Sequence, residues 1–273
     1  MDMLLIEKLS KDIKKSAETL GEREARYLVD LYYQIQDFRI QCSNQTRILQ
    51  KSEEGESHEC IEFMANNYYR MESYIKKILE EYAKTKQICR WMMSIDGIGP
   101  ILATGLYCQI DITKCTTAGD LWKFAGLYPG AKKKKGMKCP YNSTLKTLCW
   151  KIGQSFIKVS GKDTDVYGHI YVARKKYETE KNDNGDYADY AKQILSEKKF
   201  AKATEAKKAY ETGKLPPAHI TQRCARYATK IFLSHLFDQW YRLENGTEPP
   251  KPFAFGILGH DESHMIQPPE MVA

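Results

Sequence analysis

The chain has 273 residues, enough for one large domain or two small ones with an ample core. Its 42 Lys and Arg against 35 Asp and Glu leave a formal charge of +7, with a pI of about 8.8. This balance suits an anionic partner without specifying one, and no apolar run is long enough to span a membrane. Eight cysteines stand at 42, 60, 89, 108, 115, 139, 149 and 224. None are paired as CxxC, which excludes a zinc ribbon or a thioredoxin-like motif. No signal peptide opens the chain, so reduced thiols and a cytoplasmic location are expected. Its 18 tyrosines, interleaved with lysines, offer rings that can stack on bases or simply line helices.

The N-terminal third carries helical periodicity and no strand pattern. From Leu4 to Gln50, Leu20, Tyr27, Leu28, Leu31, Ile35 and Phe38 recur at helical spacing among charges. Residues 51–57 contain Gly55 among polar residues and predict a turn. A second helix is expected from about His58 to Ser94, striped by Ile61, Met64, Tyr68, Met71, Ile75, Ile78, Leu79 and Tyr82. Two such helices predict a coiled-coil hairpin over 1–94, serving as an arm for a homodimer or as part of an ordinary bundle.

Met93 to Thr104 is the most informative stretch. Gly97 and Gly99 pace a turn, and Pro100 suits the first turn of the helix that follows. The pattern is that of a helix-hairpin-helix, whose backbone N–H groups suit a phosphate. The same turn also serves two packed helices that bind nothing. Ile101 to Ile110 predicts a short helix. Thr116 to Asp120 marks another helix start, and Gly126-Leu127-Tyr128-Pro129-Gly130 ends that helix. The run Lys132, Lys133, Lys134 and Lys135, with Lys138 close behind, is flanked by glycines and by Tyr128 and Tyr141. Four adjacent lysines repel one another, and phosphate contact relieves that cost by releasing counterions. A solvated loop is the plain alternative. Asn142 and Ser143 begin a helix that runs to about Val159.

Beyond Gly161 the chain is charged. A helix from Val166 to Glu180 is followed by a turn at 182–185 and an exposed helical stretch over 187–212. After Pro216-Pro217, a long helix from Ile220 to Leu243 turns Ala225, Ala228, Ile231, Phe232, His235, Leu236 and Trp240 inward. Arg223, Arg226 and Lys230 share another face, either a phosphate-binding stripe or a solvated one. An irregular or disordered tail is expected over 245–273. The histidines lack ligand-pair spacing, so neither a metal nor another cofactor is expected.

In order, Ser94 to Pro100, Asp111-Ile112, Leu121 to Ala125, Gly126-Leu127-Tyr128-Pro129, the loop at 130–138, the helix with Asn142, Leu145 and Leu148, and the helix from Ile220 follow one pattern. That pattern resembles the C-terminal domain of the IS-one-ten transposase family, the DEDD-type enzymes guided by a bridge RNA, over roughly 88–243. The family carries a nucleophilic serine in the basic loop and four acidic residues in a RuvC-like domain. Here lysines fill the loop, and the serines nearby, Ser143 and Ser155, fall on the predicted helix. Helical acids such as Glu80 and Glu81 do not assemble a metal site by spacing alone. A helical hairpin joined to this domain without a nuclease also resembles the Nop-domain Tas proteins of tandem interspaced guide RNA systems. That resemblance implies an all-α fold, with a Nop-like domain over 95–244, a dimerising coiled coil, a bound guide RNA and DNA as target. The expectation is therefore a non-enzymatic RNA-binding protein. An active or degenerate transposase and a helical structural adaptor are the alternatives. Residues expected on the nucleic acid are Gly97, Gly99, Tyr128, Lys132 to Lys135, Lys138, Tyr141, Arg223, Arg226 and Lys230.

Overall fold

A computed structural model describes residues 8–51, 59–133, 135–200 and 204–271. Among these residues the chain is all-α, without a strand. It divides into two compact units, one of residues 1–94 and 99–111, the other of 95–98 and 112–271 in the main. Residues 4–7 of the predicted first helix, residues 52–57 of the expected turn and His58, the expected start of the second helix, lie outside the described residues.

In the first unit, α1 (Lys11–Ser16) precedes α2 (Glu22–Leu49), and α3 (Glu59–Lys84) returns along α2. The pairing is antiparallel: Gln36 and Arg39 meet Glu72, and the Phe38 ring stacks on Tyr68. The predicted stripes divide. Leu28, Leu31, Ile35, Ile75, Leu79 and Tyr82 join one core cluster, whereas Tyr27, Phe38, Met64 and Met71 face solvent. A helical seam wider than one partner can cover leaves such residues outside.

The long helix expected to end at Ser94 is two helices. The Thr85 hydroxyl donates to the Tyr82 carbonyl at 2.7 Å, and Lys86 is extended, so α4 (Gln87–Met93) starts afresh. A threonine that bonds back to its own turn competes with the helical ladder. α5 (Pro100–Gln109), which lies beyond the boundary drawn at residue 94, packs on α2, α3 and α4.

The second unit is built on α11 (Pro217–Asn245). Around it lie α6 (Ala118–Phe124), α7 (Ser143–Val159) and α8 (Val166–Asp183). Phe156, Tyr167 and Phe232 meet ring to ring at its centre, with centroids 4.9 to 5.7 Å apart. Burial of each such ring stabilises by roughly 1.5–3 kcal/mol. The stretch expected as one exposed helix holds α9 (Ala188–Glu197) and α10 (Glu205–Glu211).

The segment after Asn245 is irregular but fastened. It holds the short α12 (Phe253–Gly256), and the buried His235 donates through Nε2 to the Ile266 carbonyl at 2.8 Å. The Tyr167 hydroxyl meets the other ring nitrogen, Nδ1, at 2.9 Å, and donates to it when the ring is neutral. Burial pushes this histidine below its usual value.

Candidate nucleic-acid interface

The hairpin turn is held from one side. Gly97 has φ +91°, and an added Cβ would lie 3.1 Å from Ser155 Oγ and 3.3 Å from Val159 Cγ2. The Ser155 hydroxyl donates to the Gly97 carbonyl at 2.6 Å. Asp96 accepts from Lys162 at 2.7 Å and from Thr164 at 2.5 Å, and these bonds hold its carboxyl below the usual aspartate range. Gly99 differs from expectation: its backbone is extended, at φ −94° and ψ 177°, with open space where a Cβ would stand. Only Gly97 of the pair needs a positive φ, because it makes the turn while Gly99 merely caps α5. Pro100 occupies the first turn of α5 as predicted, and no side chain caps that helix.

The next elements carry the basic face. Thr117 and Asp120 cap α6 reciprocally, with Thr116 also donating to Asp120. Gly126, at φ +67°, closes α6: its N–H reaches the Lys123 carbonyl, and the Leu127 N–H reaches Trp122 at 2.8 Å. This pair of bonds is a Schellman ending. The Tyr141 ring packs on the bare face of Gly126, where a Cβ would come within 2.6 Å. Tyr128 lies half-buried over Gly130. Lys132, Lys133, Lys135 and Lys138 are exposed, while Lys134 lies outside the described residues.

Asn142 caps α7 through the Leu145 N–H at 3.0 Å. One face of α7 buries Leu145, Leu148, Cys149, Ile152 and Phe156. The opposite face aligns Ser143, Lys146, Thr147 and Trp150 beside the basic loop. With Lys133, Cys139 and Tyr141 they line an open cleft of about 460 Å³. The Lys146 ammonium sits 4.1 Å from the centre of the Tyr141 ring. Trp150 is 56% exposed, and its indole N–H donates to Gln222 Oε1 on α11 at 3.2 Å. Lys146 and Trp150 are absent from the residues expected on sequence. The signal that could have found them was a tryptophan on the polar phase of an otherwise amphipathic helix.

The stripe on α11 is not uniform. Arg223 binds Glu178 at 2.7 Å and lies over the Tyr187 ring, 5.2 Å from its centre. Glu178 is fully buried, and Arg174 and the Tyr187 hydroxyl also reach it. Burial opposes its charge, yet these donors and the nearby Arg223 prevail and hold its carboxyl below the usual glutamate value. Lys230 lies over Trp122, 3.9 Å from the ring centre, and burial with Arg226 nearby lowers its affinity for a proton. Arg226 alone of the three is exposed.

The second unit thus brings together an exposed basic loop and an aromatic cleft. Residues 89–167, from α4 into α8, match the family model described as Transposase IS116/IS110/IS902 family, which makes this stretch transposase-like. No curated protein and no solved structure matches the chain. Among the described residues no helix is long and apolar enough to cross a membrane.

Proposed function

We propose that this is a transposase-like protein that binds a structured guide RNA and delegates sequence readout to base pairing by that RNA, with DNA as the target. The observation that carries the reading is the cleft where Lys133 and Tyr141 meet Lys146 and Trp150 of α7, with Lys132, Lys135 and Lys138 exposed in the same loop. Lysines there neutralise phosphates, and exposed rings serve unpaired bases. The reading that the chain has no chemistry of its own is supported by lysines standing where the resembled transposases place their serine. Of the two nearby serines, Ser155 is committed to the Gly97 carbonyl. The family match favours a second reading, an insertion-sequence transposase that acts on DNA. The exposed Tyr27, Phe38, Met64 and Met71 support a homodimer through α2 and α3.

Purification from cells, followed by RNase and DNase digestion of the bound nucleic acid, tests the reading. The expected result is a bound RNA, no nicking of DNA by the protein with magnesium, and a dimer by light scattering. A preparation without affinity for any structured RNA would refute it, and magnesium-dependent nicking would establish the second reading.

A further inference from the structure

Trp150 contributes little to the core, although its indole N–H ties α7 to α11. α7 already buries its apolar face completely, and the indole lies on the other side, more than half open to solvent. Of the four tryptophans, Trp91 and Trp240 are buried and Trp122 is covered by Lys230. Trp150 alone is exposed. Its edge is fixed all the same, because Gln222 Oε1 accepts both the indole N–H and, at 3.4 Å, the Gln154 amide. An aromatic held at one edge and open on its surface is a ready platform, since little ring freedom remains to be lost on binding.

Its neighbours define what fits. The cleft beside Trp150 is lined by two lysines, two hydroxyl residues, a tyrosine and a cysteine and, among the described residues, by no carboxylate. Its volume of about 460 Å³ suits a group the size of one nucleotide. Lys133 enters from the loop and Lys146 from α7, the latter placed by the Tyr141 ring. We propose that this cleft is a pocket for one unpaired RNA nucleotide, with the base stacked on Trp150 and the phosphate held by Lys133 and Lys146. The proposal rests on the nucleic-acid-binding reading and adds to it a requirement for a base. Lysines alone bind phosphates whether or not bases are attached, whereas a tryptophan platform responds to the base.

The test uses the full chain and two eight-nucleotide single-stranded RNAs, one ordinary and one with abasic residues throughout. Affinity is read by fluorescence anisotropy, and the exposed indole supplies a second readout by quenching. The wild type should prefer the ordinary oligomer. Trp150→Ala should cut that preference by roughly 5- to 150-fold, the range found for one stacked base, and abolish the quenching. Trp150→Phe should keep most of the preference. Circular dichroism should show both variants folded, because the side chain packs little. An unchanged preference in folded Trp150→Ala would overturn the pocket while leaving the RNA-binding reading intact. Equal binding of both oligomers by the wild type would do the same. Failure of the wild type to bind either oligomer or any structured RNA would remove the underlying reading as well.

Discussion

Gly97 and Gly99 stand two residues apart in the same turn, yet substitution should have opposite consequences. At Gly97 the backbone lies at φ +91°, where an L side chain costs about 1–2 kcal/mol. The new methyl would also press on Ser155 Oγ at 3.1 Å and Val159 Cγ2 at 3.3 Å, and displace the group that bonds the Gly97 carbonyl. Overpacking of this kind costs about 1–3 kcal/mol. Reduced freedom of the unfolded chain returns about 0.4–1 kcal/mol. The net expectation for Gly97→Ala is a loss of about 3 kcal/mol. At Gly99 the backbone is extended and no heavy atom lies within 4 Å of the added Cβ. There the entropic gain offsets the weaker capping preference of alanine, so Gly99→Ala should change stability by less than about 0.5 kcal/mol. Gly99→Ser, which adds a capping hydroxyl to α5, should stabilise. Urea denaturation followed by circular dichroism, at matched protein concentration, measures all three. Equal losses for Gly97→Ala and Gly99→Ala would show that the turn does not have this geometry.

Three further outcomes are expected. Changing Lys132 to Lys135 together to Ala should leave the helix content intact and flatten the salt dependence of RNA binding, by roughly 0.7 to 0.9 in slope for each phosphate no longer neutralised; equal slopes would place the phosphate-binding lysines elsewhere. Glu178→Gln should destabilise by about 2–3 kcal/mol. That is less than a fully buried pair because Arg174 and Arg223 keep some solvent, and a urea midpoint near wild type would refute it. His235, held below its unfolded value of about 6.5, contributes stability that is intact above that pH. As pH falls the unfolded chain takes up the proton first, so stability should decline as pH drops below about 6.5, and less steeply in His235→Gln. Parallel profiles for the two proteins would exclude this residue as the cause.

Local signals were legible where the cause was local. Asn142 and the Thr117–Asp120 pair cap helices as expected, because capping involves atoms three residues apart. Pro100 opens α5 for the same reason. The break at Thr85 and Lys86 was not legible, since neither Gly nor Pro marks it and a hydroxyl bonding back to Tyr82 ends the helix. Nor does the one-letter text distinguish Gly97 from Gly99, because a glycine does not announce which side of φ it occupies. Arg223 shows the limit most directly. Its position on the helix face was correct, but its partner Glu178 is 45 residues away and meets it only once α8 lies on α11. The candidate site divided in the same way: the lysine loop was visible as a run of charge, and Trp150 was hidden inside a helix that looked ordinary.

The ending of α6 bears on what a sequence likeness means. The stretch Gly-Leu-Tyr-Pro is occupied with backbone duties: Gly126 turns through a positive φ, accepts the Tyr141 ring and lets Leu127 close the helix. None of those duties involves bond breaking. The helix needs this ending whether or not any chemistry accompanies it, so folding alone accounts for these residues. Likeness carried by such a stretch speaks for a shared way of ending a helix, and any activity has to be established from the groups that stand beside it.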